Sequence, residues 1–489
     1  MADFDFPVFR KTKIIATIGP SIFDYKMLEK AILNGADLFR INFSHSNYTE
    51  AEKVIVDIRN LAAEMDRHIG IFMDLKGPKM RIGKFKEGPI VLKEGDPFTI
   101  TIEEITGGQA KVSTTYRELA RDANKKDVIL LDDGRIRLEV TDRDEKNVYT
   151  RVLTGGKLSD SKGMNLPGMK LSTPSLTDKD KADILFGIKH DIDYFALSFV
   201  RKPEDILAMK EFLKQHKSSI PVIAKIEKPE ALERLGEIVD AADAIMVARG
   251  DLGVEMPMEK VPSAQKDIIR KTNFGGKPVI VATQMLESMI NNPSPTRAEV
   301  SDVATAIFDW TDAVMLSGET AVGKYPLDSL SYMARIAVEQ DKDQSLRKKN
   351  LKTRKTHFLK EESILSSLCD SADELADEIS AKAIITFTES GRTALMLSKY
   401  RSSVPIIAIS DKIRTCQKMT LFRGTWPVLS SRLFPEMKNI AEMITEAEER
   451  SKGIGLIQKG DLVVIMAGIP IAREGSTNMI RVHRIGEPF

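Results

Sequence analysis

Two carboxylates close consecutive apolar runs: Glu227 ends "PVIAKIE", Asp251 ends "DAIMVARGD", and neither run carries a His or Cys. Each residue alone suits a salt bridge. Together, on neighbouring strand ends, hard oxygen ligands suit Mg2+ that keeps open positions for a substrate phosphate. A cationic set accompanies them. Arg40, Arg81 and Lys225 are of the type that serves phosphoryl transfer, where catalysis is largely positioning and charge stabilisation. The stretch "RGDLG" at 249–253 reads either as a plain turn or as the start of a short helix. In the second case the backbone N–H groups of Gly250 and Asp251 can hold a carboxylate or phosphate.

Other polar residues fall at similar places: Asn42, Ser44 and His45, Asp74 and Lys76, Arg249, Thr283, and Ser317 with Glu319. An unpaired charge among Val, Ile, Ala and Met is costly to bury, so these groups are expected to converge on something charged. The stretch "MDLKGPKMR" at 73–81 adds Lys79 between Lys76 and Arg81 around a Gly-Pro break.

Positioning these groups requires a frame. Eight short runs rich in β-branched residues recur: "KIIATIG", "LFRINFS", "IFMDLKG", "DYFALSF", the two above, "PVIVATQM" and "DAVMLSGE". Most are separated by segments with helical spacing, such as Leu327, Leu330, Ala334 and Ala337. Eight strands alternating with helices predict a closed (β/α)8 TIM barrel, whose chemistry lies at the C-terminal ends of its strands. An open doubly wound sheet is the alternative; it would carry a glycine-rich fingerprint after its first strand, and none is present.

About 120 residues separate the third and fourth runs. Most of that span alternates apolar and polar residues between Gly and Asp-Gly turns, which predicts an inserted all-β lid domain, 81–173, over the barrel mouth. The barrel then comprises 1–80 and 174–345. A basic linker, "RKKNLKTRK", leads into a C-terminal α/β domain, 346–489, with strands near 382, 404, 426, 461 and 479.

Composition bounds the function. The 489 residues carry 72 Lys+Arg against 71 Asp+Glu, so no bulk field favours nucleic acid or an anionic membrane. Only Cys369 and Cys416 are present, both in the third domain, which fits a reducing compartment such as the cytoplasm. The N-terminus lacks an apolar core for export, and no window approaches the roughly 18 apolar residues of a membrane span.

The motifs "TKIIATIGP", "FRINFSH", "DLKGP", "IAKIEKPE", "ARGDLGVE", "ATQMLESM" and "LSGETAVGKYP" together resemble the pyruvate kinase family over almost the whole chain. The resemblance implies transfer of the phosphoryl group of phosphoenolpyruvate to ADP, protonation of the enolate to pyruvate, and formation of ATP at the end of glycolysis. It implies Mg2+ on Glu227 and Asp251 and a second Mg2+ arriving with the nucleotide. Lys225 would stabilise the transferring group and the enolate oxygen, helped by Arg40 and Arg81. Gly250, Asp251 and Thr283 would hold the carboxylate. Thr283 and Ser317 match the proton relay through water, and Asn42, His45, Arg81 and Lys202 lie toward the nucleotide.

In the common form of the family, Asn42, Ser44, Asp74 and position 75 hold K+ and position 79 is Glu; here they are Leu75 and Lys79. Exchanging carboxylate for ammonium changes the local charge by two, and a unit pair at 4 Å is worth about 4 kcal/mol at an effective dielectric near 20. The expectation is that Lys79 replaces K+; the alternative is a solvated lysine in the lid hinge. "FTESGRTA" resembles the family's effector loop, with Thr388, Ser390, Gly391, Arg392 and Thr393 at a strand-to-helix turn, faced by Arg473, Ser476 and Thr477. Glu389 and Glu474 add charge that a sugar bisphosphate would not favour, so the effector is open and a plain helix cap is the alternative. The family is usually a homotetramer. A phosphoenolpyruvate-using dikinase or an aldol lyase would require a phosphohistidine domain, a catalytic Cys or another metal set, and a metabolite sensor would show damaged site positions.

Overall fold

The computed structural model describes residues 9–43, 47–169, 172, 174–351, 363–437, 439–453, 455–468 and 477–487. Eight parallel strands, Lys13–Thr17, Leu38–Asn42, Gly70–Asp74, Tyr194–Leu197, Val222–Ile226, Ala244–Ala248, Val279–Ala282 and Ala313–Leu316, close into a barrel in sequence order. The period of two along each strand sorts the residues. One parity, including Ile14, Phe39, Ile71, Val222 and Val281, packs outward against the helices. The other, including Ile15, Leu38, Phe72, Tyr194, Ile223, Met246, Ile280 and Met315, fills the interior. Continuing the inward parity to the strand ends reaches Thr17, Arg40, Asp74, Ser198, Lys225, Glu227 and Ser317, so the polar site is the topmost layer of the barrel filling.

The opposite face carries a fourfold repeat. Asp37, Asp193, Asp243 and Asp312 each stand just before an even-numbered strand, and each accepts the N–H at the start of the preceding odd one. The acceptances are from Ile14 (2.8 Å), Ile71 (2.6 Å), Val222 (2.8 Å) and Val279 (2.8 Å). Every one is ion-paired: Asp37 with Arg10, Asp193 with Arg59, Asp243 with Lys210, and Asp312 with Lys399 and Arg401.

Between the third and fourth strands lies a β-rich insertion with its own core, from Ile82 to Met169. Its main sheet has six strands; Pro97–Thr101 pairs antiparallel with Asn147–Thr154, which pairs with Ile136–Arg143. The turn between Val128–Leu131 and Ile136–Arg143 uses three left-handed residues, Asp132, Asp133 and Gly134, as an Asp-Gly turn favours. Asp180, fully buried, joins the two arms of the insertion: its Oδ1 accepts from Gly77 N (3.0 Å) and its Oδ2 from Thr177 N (2.9 Å). Gly77 has φ +61°, and an added Cβ would lie 3.0 Å from the Phe199 ring, so only glycine fits this close approach.

The helix Pro326–Leu351 runs on into the basic stretch where the sequence reading places a linker. Lys and Arg are good helix formers and favour a helix C-terminus. The third region folds as a five-stranded sheet ordered Thr425–Leu429, Ile406–Ser410, Ala383–Phe387, Leu462–Gly468, Thr477–Arg484, with the last strand antiparallel. Its helix Ile413–Met419 closes the barrel's bottom, where Cys416 and Met419 share a core with Ile15 and Phe72. Cys416 is therefore not remote from the barrel, as its sequence position suggests, but it lies at the face opposite the site.

Candidate active site

Lys225 is the hub. Its ammonium lies 2.8 Å from Glu227 Oε1 and 3.1 Å from Asp74 Oδ1, and it donates to Ser198 Oγ at 2.8 Å. Burial works against this charge, but Asp74 and Glu227 more than offset it and raise the pKa above the ordinary lysine value. Arg40 grips the other side of Asp74, with Nε 2.7 Å from Oδ2, and reaches Thr17 Oγ1 at 3.3 Å. Burial opposes ionisation of Asp74, yet Lys225 and Arg40 overcome it and hold its carboxyl below the usual range. The result is a fixed lattice of two cations set against two carboxylates, preorganised before any ligand arrives.

Glu227 is 1 % exposed. Burial pushes its pKa up, Lys225 opposes this, and the neighbouring Asp251 carboxylate adds to the rise. Its second oxygen accepts the Phe199 N–H at 2.9 Å. Phe199 has φ +56°, a conformation uncommon for an aromatic residue, which aims this N–H at the carboxylate. Asp251 has no hydrogen-bond or ion-pair partner among the described residues. Two adjacent carboxylates, one held up by burial and one without a partner, fit a hard divalent cation. Among the described residues no group of three metal-ligating side chains occurs, so the remaining positions would fall to water and substrate, as Mg2+ prefers.

"RGDLG" does open a helix, Arg249–Glu255. The Gly250 N–H faces the Thr283 hydroxyl, 2.8 Å away, and that hydroxyl donates to Ala282 O at 2.6 Å. Thr283 and Gln284 have φ +68° and +53°. For a β-branched threonine this is a strained backbone, and such strain concentrates at functional sites. The Ser317 hydroxyl oxygen is buried and has no hydrogen-bond partner among the described residues.

Not every strand-end group joins this cluster. Arg249 turns away to pair with Asp302 at 2.6 Å and to donate to the carbonyls of Thr283 and Gln284. Glu319 accepts the Leu286 and Ser317 N–H groups. These two hold loops rather than converge on a ligand. Arg81 sits at the base of the insertion, its guanidinium donating to Ser161 O at 2.8 Å. Lys202 caps the helix Pro203–Gln215 with its side chain exposed. Asn42 stands across from Asp74 in the strand register. Leu75 is buried, and its carbonyl accepts the Ser198 hydroxyl at 2.8 Å. Lys79 is exposed and its ammonium has no partner among the described residues. Ser44 and His45 lie outside the described residues, as do Arg473 and Ser476.

Ser198 and Thr17 are functional neighbours that the sequence reading passes over. The signal was available: in "YFALS" the inward parity Tyr194, Ala196 continues to Ser198, and in "KIIAT" Ile15 continues to Thr17.

At the third region's loop, Thr388 Oγ1 accepts the Gly391 N–H (3.0 Å), and Gly391 has φ +85°. Glu389 is paired with Lys412 at 2.5 Å, so its charge is offset inside the loop. Lys418 donates to Ser390 O at 2.6 Å, and the hydroxyls of Thr393 and Thr477 lie 3.0 Å apart, while Arg392 begins the helix Arg392–Lys399.

Comparison with known proteins adds an independent line. Residues 9–330 match the family described as pyruvate kinase, barrel domain, and residues 366–483 match pyruvate kinase, alpha/beta domain. A pyruvate kinase of Thermotoga maritima is 45% identical over 476 residues, 97% of this chain and 100% of the relative. One of Staphylococcus aureus is 43% identical over 480 residues, 98% of this chain and 81% of the relative. A crystal structure of a pyruvate kinase from Cryptosporidium parvum superimposes with a TM-score of 0.90 at 35% identity, covering 97% of this chain and 96% of that one. With the barrel, the third domain and near full-length identity in agreement, the chain belongs to the pyruvate kinase family.

Proposed function

We propose that the barrel mouth performs the family's reaction, phosphoenolpyruvate and ADP to pyruvate and ATP, around Lys225, and that it does so without K+. The observation that carries this reading is the Lys225 ammonium set between Asp74 and Glu227, with Asp251, whose carboxylate has no partner among the described residues, beside Glu227. Arg40 and Lys225 face the transferring phosphoryl group, and Lys225 also neutralises the enolate oxygen as it forms. Arg81 and Lys202 approach the nucleotide, together with Asn42 and His45. The Gly250 and Asp251 N–H groups and the Thr283 hydroxyl hold the substrate carboxylate. Ser317, a buried hydroxyl without a partner, has capacity to hold the water that protonates the enolate, with Thr283 beside that path.

Glu227 and Asp251 would hold one Mg2+, and a second would enter with the nucleotide. When bound, the metal supplies charge neutralisation on the phosphoryl and enolate oxygens. For the monovalent site, Leu75 offers no side-chain oxygen and its carbonyl already accepts from Ser198. This favours the Lys79 ammonium, which has no partner among the described residues, over K+ bound at Asn42, Ser44 and Asp74.

Residues 81–173 act as the lid and 346–489 as a regulatory domain. Its 388–393 loop, with Arg473, Ser476 and Thr477, receives a phosphorylated effector; the pairing of Glu389 with Lys412 makes this compatible with an anion. Among the described residues no helix is long and apolar enough to cross a membrane; a cytoplasmic homotetramer is the assembly we propose.

The test is pyruvate formation from phosphoenolpyruvate and ADP with Mg2+ in tetramethylammonium buffer, before and after adding K+. A full rate without K+ is expected. Activity only with K+ would remove the role of Lys79, and silence in both would overturn the whole reading.

A further inference from the structure

The helix Arg249–Glu255 carries Gly250 and Asp251 at one end and Glu255 at the other. Glu255 is a buried carboxylate, 5 % exposed, outside the substrate cluster. It is ion-paired with Lys228, the residue after Glu227, and its Oε1 also accepts from Asn165 Nδ2 at 2.8 Å. Asn165 belongs to the inserted domain, in the short strand Met164–Asn165. A second contact lies close by: a Cβ placed on Gly134, in the insertion's left-handed turn, would meet Val254 Cγ1 at 3.6 Å.

One carboxylate thus touches three elements: the insertion, the segment after the fifth barrel strand, and the helix that presents Asp251. Lys228 alone balances the charge of Glu255, so the further bond from Asn165 is not needed for neutralisation. The bond from Asn165 is neutral, crosses between domains, and breaks if the insertion moves away from the helix. Breaking it would return Glu255 to Lys228 alone and release the end of a two-turn helix whose start bears a metal ligand.

We infer that Glu255 is a positioning residue that couples the seating of the inserted domain, through Asn165, to the placement of Asp251 and Glu227. The inference rests on the site reading proposed above and deepens it. When the insertion is seated, the three-way contact fixes both carboxylate-bearing segments; when it lifts, both loosen together. The metal site is then fully assembled only beneath a closed lid.

The experiment uses the full-length protein with Asn165→Asp, Glu255→Gln and the double variant, and varies Mg2+. Asn165→Asp sets a carboxylate against Glu255. It is expected to lower kcat about tenfold and to raise the half-saturating Mg2+ severalfold, with a metal-free melting temperature that the like-charge contact lowers and the double variant restores. In the double variant the carboxylate introduced at position 165 faces an amide and supplies the counter-charge for Lys228, so kcat and Mg2+ dependence are expected to recover, a coupling that the cycle reads directly. A second readout, the rise in melting temperature on adding Mg2+, is expected to shrink in Asn165→Asp and return in the double variant. Unchanged kcat and Mg2+ response in Asn165→Asp would overturn the inference. So would losses that follow a lowered melting temperature and do not recover in the double variant. Failure of the unaltered protein to form pyruvate would refute the site reading instead, while the Mg2+ melting shift would still decide the coupling.

Discussion

Replacing Lys225 by Met separates charge from shape at the hub. The side chain is buried and of similar length, so methionine can occupy its channel, but the ammonium between Asp74 and Glu227 disappears. A unit charge acting at about 4 Å through an effective dielectric near 20 is worth about 4 kcal/mol, which is roughly a thousandfold in rate. The loss should fall on kcat, because the charge on the enolate oxygen and the transferring group develops only in the transition state. A second effect has the same cause. Glu227 is already raised by burial and by Asp251, and Lys225 is what restrains it. Without the ammonium it rises further, so as pH is lowered the variant should lose its response to Mg2+ at a higher pH than the native protein does. The assay is steady-state pyruvate formation with both substrates and Mg2+ varied, with Lys225→Arg as the charge-retaining control. A loss of kcat below tenfold, or a loss confined to the KM for phosphoenolpyruvate, would refute the electrostatic argument.

Three further outcomes follow from particular contacts. Lys79→Glu should slow turnover in K+-free buffer and recover in part when K+ is added; an equal rate in both proteins would show that Lys79 is only a solvated hinge residue. Ser317→Ala removes a buried hydroxyl that has no partner, so melting temperature should hold or rise while pyruvate formation slows; a stability loss without a rate loss would contradict the water-holding role. Burial pushes Lys399 down to about 7, with Asp312 opposing and Arg401 assisting. The unfolded lysine keeps its proton to about 10.4, so between these values unfolding takes up a proton and stability rises with pH by up to about 1.4 kcal/mol per unit. The melting temperature of the native protein should climb relative to Lys399→Met between about pH 7 and 8.5, and a constant difference would place the Lys399 pKa outside that window.

Much of this site is visible in the sequence because a barrel strand has a period of two. Once Ile223 or Phe72 is recognised as interior filling, Lys225 and Asp74, two residues on, must point into the mouth. The same rule would have supplied Ser198 and Thr17, and it excludes Arg249, which falls on the other parity from Met246 and Ala248. Thr283 also falls on the wrong parity. It reaches the site because its backbone turns left-handed, and nothing in "VATQM" announces a conformation that threonine disfavours. The Asn165–Glu255 contact was hidden for another reason: it joins residues 90 positions apart, one in the insertion and one in a barrel helix.

The aspartate repeat was also written in the sequence, as "GADLF", "DIDYF", "AADAI" and "WTDAV" before the even strands. Its regularity isolates the exception. Asp37, Asp193 and Asp243 take their counter-charges from Arg10, Arg59 and Lys210, all parts of the barrel. Asp312 takes Lys399 and Arg401 from the third domain, Lys399 at 2.6 Å and Arg401 at 2.7 Å. A buried carboxylate without its cations would be costly, so this quarter of the barrel's base depends on the third domain being docked. Asp312 is also the group that ties the starts of the seventh and eighth strands together, through the Val279 N–H. Thr283 and Ser317 directly follow those strands. Lys399 closes the helix Arg392–Lys399, and the 388–391 loop leads into the other end of that helix, with its N-cap Gly391 about 12 Å from Lys399 at the ordinary helical rise. The third domain is thus joined to the two strands that lead to Thr283 and Ser317 through charges rather than through apolar packing alone.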